Sequence, residues 1–300
     1  MKVLIVARCK NGWYAPFITE QVEALQKAGV KCRYFGVKKN GYFKQINSLK
    51  SCIKEFKPDI IHAHYGLCGL FATIQCKVPV VTTYHGSDIN NPKVLKLSKI
   101  AIKRSAFNIF VSQKNVDAAK PKGHYSLIPC GIDLDDYQEM SREDARKYLG
   151  LEKAKKYILF AGAFDNPVKN ASLAKEAVAR IDGAELLELK GYSRQQVSAL
   201  YYAVDTFLMT SITEGSPQVI KEALACGCPI VSVDVGDVKL VIDGVDGCYI
   251  ARREINAIAE ALKMTFDFSR TESGRNRIES LKLENSIIAQ SIIDIYKTLI

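Results

Sequence analysis

No apolar run in this 300-residue chain is long enough to cross a bilayer. The longest, such as VLIVA at positions 3–7, are strand-length, against the ~20 residues a spanning helix needs. The same five residues fall short of the ~7 that a secretory core requires. The opening segment therefore reads as a first β-strand and the protein as cytoplasmic. No G-x-G-x-x-G follows a strand, which argues against a nicotinamide dehydrogenase. No G-x-x-x-x-G-K-[ST] occurs, which excludes a P-loop NTPase, and no G-x-S-x-G elbow, which argues against an α/β-hydrolase. The aromatic–basic pattern of RNA-reading sheets is missing, so nucleic acid is not an expected partner.

Nine cysteines are present, but none forms a C-x-x-C pair or a small disulfide framework. Scattered singly through apolar segments, they read as reduced, mostly buried thiols. Cys226 and Cys228 flank Gly227 and fit either small core residues or, less simply, a metal pair. Charge is uneven. Residues 1–150 carry 24 Lys and Arg against 12 Asp and Glu, and residues 151–300 carry 18 against 20. A basic first half suits anionic headgroups or phosphorylated acceptors, and equally a solvated, lysine-rich surface.

The first half alternates apolar strands (VLIVA, VKCRYFGV, PDIIHAH, PVVTTYHG, FNIFVS) with amphipathic helices. In PFITEQVEALQKAG, Ile18, Val22 and Leu25 form one stripe that ends at Gly29. Residues 131–150, GIDLDDYQEMSREDARKYLG, are acidic and polar and read as a linker. The alternation then restarts with KYILFAGAF, AELLELKG, a helix from Arg194 to Ala203, DTFLMTS and PIVSVDV. After polar SRTESGRNR comes a last apolar-striped helix, ENSIIAQSIIDIYKTLI, able to pack back on the first domain. The fold class expected is α/β, with two Rossmann-like, doubly wound parallel sheets facing across a cleft. The domains expected are 1–150, with the linker included, and 151–300. Ligands bind such folds at the carboxyl ends of strands.

One segment concentrates chemistry: SITEGSPQVIKEALACGCPIV, residues 211–231, with Glu214 and Glu222 eight positions apart. Pro217 suits a first helical position and Ser216 an N-cap. The Glu-Gly-Ser-Pro turn then offers backbone N–H groups at a helix N-terminus, which is a phosphate site. Glu222 lies about one and a half turns into that helix. Its carboxylate, which accepts two hydrogen bonds, suits a sugar diol.

This segment resembles the E-x7-E motif of retaining GT-B glycosyltransferases of family 4, or group 1. Other pieces agree in order: PFITEQVEALQKAG, PDIIHAHYG, PVVTTYHGSD, IPCGID and ILFAGAFDNPVKN. The resemblance covers most of residues 1–250. It implies an acceptor-side first domain and a second domain that binds a nucleotide-sugar, UDP- more readily than GDP-linked. It places Glu222 on the donor ribose and Glu214 beside the transferred sugar. Gly215, Ser216, Pro217 and Gln218 form the turn near the sugar and phosphates. Lys169 neutralises the diphosphate, His85 of YHGSD lies near the donor sugar, and Gly12 matches the glycine loop after the first strand. No cofactor and no metal are implied, and no protein general base, because the donor phosphate helps take the acceptor proton.

The chain departs from the family at Ala163, where an arginine is usual. Arg194, Arg8 or a basic acceptor could replace that charge. The resemblance implies transfer to a glycan or lipid-linked glycan in bacterial surface polysaccharide synthesis. The basic PKVLKLSKIAIKRSA, with Val94, Leu97 and Ala101, adds contact with the inner face of the membrane. The alternatives are a non-catalytic regulator with this fold and a nucleotide-sugar epimerase. His62 and His64 share a strand face and could begin a metal site, for which no third ligand is evident. Tyr84 and Trp13 fit either an acceptor pocket or core packing.

Overall fold

Strands that are apolar on both faces need helices on both sides, and the parallel sheet satisfies that need. The computed structural model describes residues 1–38 and 42–300. The chain forms two units, residues 1–131 with 283–300, and residues 132–282. In the first, β1 (Lys2–Arg8), β2 (Lys31–Val37), β3 (Ile60–His64), β4 (Val80–Tyr84), β5 (Phe107–Phe110) and β6 (Tyr125–Leu127) pair in the order β2-β1-β3-β4-β5-β6. In the second, β7 (Lys156–Phe160), β8 (Ala184–Glu188), β9 (Thr206–Met209), β10 (Ile230–Val233) and β11 (Cys248–Ala251) pair in the order β11-β10-β9-β7-β8. Each named pairing is parallel. In both sheets the chain runs outward and then returns past its first strand. The crevices so created lie at the carboxyl ends of β1 and β3, and of β7 and β9.

Strand alternation sorts the first core. Val3 and Ile5 pack with Ile18, Val22 and Leu25 of the helix Pro16–Lys27, and with Ile288, Ile292 and Tyr296 of the helix Asn285–Lys297. Leu4 and Val6 face the opposite side, against Leu49, Phe56 and Phe71. The last helix thus belongs to the first unit, as its apolar stripe allowed.

The division between units falls at 131/132, not near 150. The stretch 132–150, expected to be a linker, belongs to the second unit. Ser141 caps a helix, Arg142–Leu149, by accepting from the Asp144 N–H at 3.0 Å. Arg146 on that helix is buried. It donates to Asp205 Oδ2 at 2.9 Å and to the Ala203 carbonyl at 2.8 Å. Ionic anchoring leaves no apolar stripe to read, although Ser141 with Asp144 is a capping signal. Likewise, polar SRTESGRNR opens a helix, Ser273–Ser280.

Arg270 closes the amino-end face of the second sheet. Its guanidinium donates to the carbonyls of Cys226 (2.9 Å), Tyr201 (2.7 Å), Tyr202 (3.2 Å) and Val204 (2.7 Å). These include the carbonyls that the ends of two helices leave unmatched. Arg270→Ala should lower unfolding free energy by about 3 kcal/mol, because charged hydrogen bonds are worth about 1.5–3 each and orphaned carbonyls add cost. Urea titration of the two proteins, followed by circular dichroism, checks this.

Candidate functional site

The second unit's crevice holds the motif residues. β7 ends at Phe160, and its loop closes in a short 3-10 turn, Pro167–Lys169, where Asn166 accepts from the Val168 N–H at 3.1 Å. Thr210, just past β9, donates to the carbonyls of Lys169 and Asn170, each at 3.0 Å. The Ile212 N–H reaches the Val168 carbonyl at 2.8 Å. The two loops are therefore stitched together by backbone. Across that seam Lys169 Nζ lies 2.7 Å from Glu214 Oε1, with the two side chains 19% and 17% exposed. A pair this shielded is screened by water and salt less than a surface pair.

The helix that follows spans Gln218–Ala225, with Pro217 as its extended N-cap. It starts one residue later than the sequence suggested, and Ser216 does not cap it. Ser216 Oγ instead donates to Asp237 Oδ2 at 2.6 Å and accepts from Lys221 Nζ at 2.7 Å. Lys221 is fully buried and also reaches Gln218 Oε1 at 3.2 Å. The sequence reading passed over Lys221 and Asp237. The available signal was a lysine on the helix face that carries buried Leu224 and Ala225. Gly236, at φ +53°, is required here, because a Cβ would fall 2.3 Å from the Gly215 carbonyl oxygen. This contact presses the loop after β10 against the Gly215–Ser216 turn. Glu222 Oε2 accepts from the hydroxyl of buried Tyr201 at 2.8 Å, which orients the carboxylate. Tyr201 is a further residue the sequence did not single out.

Arg194 is one of the residues that could replace the arginine missing at Ala163. Exposed at the start of its helix, it pairs with Asp136 at 2.5 Å. Cys226 and Cys228 are buried thiols whose pKa burial pushes up. Among the described residues no group of three or more His, Cys, Asp or Glu could hold a metal ion.

Gly12, His85 and Arg8 lie in the first unit. Asn11 (φ +52°) and Gly12 (φ +87°) form the two-residue tip of a tight turn, closed by Lys10 N–H to Trp13 O (3.0 Å) and Trp13 N–H to Lys10 O (2.9 Å). His85 Nε2 lies 3.1 Å from His64 Nδ1, and its Nδ1 lies 3.8 Å from Cys130 Sγ. Both ring nitrogens therefore have protein partners. His62 is bound by Tyr296 (2.5 Å) and Thr83 (2.7 Å), and its ring stacks on His64. Asp88 of YHGSD accepts from the N–H groups of Gly66, His85 and Gly86 at 2.8, 3.0 and 3.1 Å. Tyr84 is core, its hydroxyl bound to Asn108 and its ring stacked on Phe110. Trp13 is exposed at the rim of a cavity of about 790 Å³ beside the ends of β1 and β3.

Burial lowers His62 and His85 to about 3, with His62 adding to the shift at His85. It also pushes His64 well below its ordinary value. The unfolded chain protonates these rings near pH 6.5. Each ring therefore removes about 1.4 kcal/mol of stability per pH unit as pH falls below about 6.5. Asp88 opposes them. Burial raises its carboxyl from 3.8 to about 6, so its contribution improves as pH falls between those values. The free energy of unfolding should decline from pH 6.5 to 4. His64→Gln should flatten that slope by about one histidine's share, ~1.4 kcal/mol per pH unit, read from urea titrations across the range.

The family model for glycosyl transferases group 1 matches residues 158–267, and that for glycosyltransferase family 4 matches residues 14–136. A putative teichuronic acid biosynthesis glycosyltransferase, TuaC of Bacillus subtilis, is 29% identical over 239 residues, covering 70% of this chain and 61% of its own. A D-inositol 3-phosphate glycosyltransferase of Mycobacterium marinum is 24% identical, covering 68% and 54%. The match thus spans less than two thirds of either relative. Sucrose-phosphate synthase from Thermosynechococcus elongatus shares the fold with a TM-score of 0.86 at 18% identity, over 99% of this chain and 98% of that one. HepE of Anabaena, in complex with UDP, gives 0.78 at 16% identity over 100% of both chains. With two parallel Rossmann-like sheets of the GT-B kind and two matching models in the expected order, the chain belongs to the group 1, family 4 glycosyltransferases.

Proposed function

We propose that the protein is a retaining, metal-independent glycosyltransferase. It moves a sugar from a nucleoside-diphosphate sugar, UDP- rather than GDP-linked, to a glycan or lipid-linked glycan of a bacterial surface polysaccharide. The observation that carries this reading is the shielded Lys169–Glu214 pair, 2.7 Å apart, beside the turn that opens the helix Gln218–Ala225. As the anomeric C–O bond breaks, negative charge builds on the departing phosphate. Lys169 and the first helical amides supply the opposing charge. Glu214 holds the lysine and offers oxygen to the sugar hydroxyls. Glu222, steadied by Tyr201, accepts from the ribose diol. The acceptor hydroxyl attacks the face the phosphate leaves and gives its proton to a phosphate oxygen, so retention needs no protein base.

The naming of TuaC for teichuronic acid biosynthesis supports a cell-surface polymer. HepE is solved with UDP and with UDP-glucose, which supports the uridine donor. No described helix is long and apolar enough to cross a membrane. The reading places the protein in the cytoplasm, resting on the inner leaflet through the helix Pro92–Arg104. Ala101 of that helix faces the core, contrary to its expected place on the contact face. Leu97 and Ile100, 42% and 45% exposed, stand among the exposed Lys93, Lys96, Lys99 and Lys103. That face suits anionic lipid.

UDP at a hundred times its Kd should stabilise the protein by about 2.7 kcal/mol, with or without Mg²⁺, and Glu222→Ala should abolish the thermal shift. Lys169→Ala should lower kcat more than it raises KM. No shift with UDP, GDP, ADP or TDP would favour a non-catalytic regulator, and an epimerised donor with no transfer would favour an epimerase.

Vesicles containing anionic lipid should sediment the protein, and Leu97→Glu with Ile100→Glu should release it. Equal sedimentation by neutral vesicles at moderate salt would remove the membrane contact.

A further inference from the structure

The resemblance already puts the acceptor on the first unit, and we propose that the ring taken by that unit's cavity carries a phosphate or carboxylate. This rests on the transferase reading and adds the chemistry of the second substrate. The cavity, about 790 Å³, opens at the carboxyl ends of β1 and β3. That volume lies within the range of small-molecule sites and suits one or two sugar rings.

Its charge is positive. Arg8 ends β1 and Lys10 begins the turn after it, and both line the cavity. Neither is held in an ion pair among the described residues. Asp88 also lines it, but its two oxygens already accept the N–H groups of Gly66, His85 and Gly86. Its single charge leaves the two cations in excess. An anionic group on the ligand completes the balance.

Its walls are aromatic. Trp13 is 80% exposed, yet the two-residue turn fixes its backbone. Tyr14 is stacked on Tyr34 with centroids 4.5 Å apart, so it is fixed as well. Flat, pre-positioned rings with polar edges suit the apolar face and hydroxyl rim of a sugar.

The backbone of Tyr65 gives an independent sign. It sits at φ +71°, ψ 146°, a region that is essentially glycine's. The surroundings impose it. The Tyr65 N–H reaches the Thr83 carbonyl at 2.8 Å, and the next N–H, of Gly66, reaches Asp88. A Cβ at Gly66 would fall 2.1 Å from Ser98 Oγ, so the helix that begins there packs closely on the helix Pro92–Arg104. Glycine would relieve the strain at position 65. The chain instead keeps a tyrosine, whose ring lines the cavity.

Trp13 is the only tryptophan in the chain, so intrinsic fluorescence reports this rim alone. Titration with glucose 1-phosphate and with glucuronate should give a saturable change. At least one of them should bind ten-fold or more tightly than methyl glucoside, and the affinity should fall as salt rises. The two anions separate phosphate from carboxylate as the preferred group. Lys10→Gln should weaken the preference over methyl glucoside while the thermal shift with UDP persists. Equal affinity for methyl glucoside, or no response to either anion, would overturn the proposal and leave the transferase reading standing. So would a response to farnesyl phosphate alone, which makes the cavity a lipid site. A response to UDP that the sugars compete away would give Arg8 and Lys10 to the donor diphosphate and likewise overturn it. Loss of the UDP shift in the unaltered protein would instead remove the transferase reading, and the acceptor role with it.

Discussion

A parallel sheet covered on both faces has no room for charged side chains along its central strands, and the polar ones it holds there, such as His62 and Thr83, are bonded to each other. In β3 and β4 every residue is buried, and in β1 all from Val3 to Ala7 are. Charged chemistry is forced to the strand ends. At the carboxyl ends the loops are long enough to carry side chains, and at the point where strand order reverses they diverge and leave a crevice. Both units obey this constraint. The Lys169–Glu214 pair belongs to the crevice at β7 and β9, and the aromatic, cationic cavity to the crevice at β1 and β3.

The two crevices are built differently. In the second unit, backbone bonds stitch the loops together, and a buried group of Ser216, Lys221 and Asp237 sets the turn. Such a group costs stability if half-satisfied and gives a rigid turn when complete. In the first unit, rigidity comes from a strained Tyr65, a tight turn and the amides gathered on Asp88. Under the proposed function the turn would hold a diphosphate, which gains from fixed N–H groups, and the cavity a sugar, which gains from fixed rings.

Much of this was legible in the chain. Alternation of apolar strands and striped helices implied two doubly wound units, because periodicity records which face meets the core. Glu214 and Glu222 stood out through their spacing about a Gly-Ser-Pro turn, and the helix Arg194–Ala203 was placed residue for residue. The helices at 142–149 and 273–280 were not legible, because an ion pair with a cap holds the first and arginine hydrogen bonds to carbonyls hold the second, more than an apolar stripe does. Lys221, Asp237 and Tyr201 were missed because each acts through a partner distant in sequence.

The sequence by itself determined the fold class, which face of each helix is apolar and the placing of a Gly-Ser-Pro turn after β9. Those are local properties, set by side-chain period and turn chemistry. Tertiary structure decided which polar groups meet. It paired Lys169 with Glu214 across 45 residues, and set Arg194 against Asp136 across 58. It gave both nitrogens of His85 to His64 and Cys130, and sent the last helix back to the first sheet. The physical reason is that a hydrogen bond or ion pair depends on distance in space. No period in the sequence encodes which two strand ends a parallel sheet will set side by side.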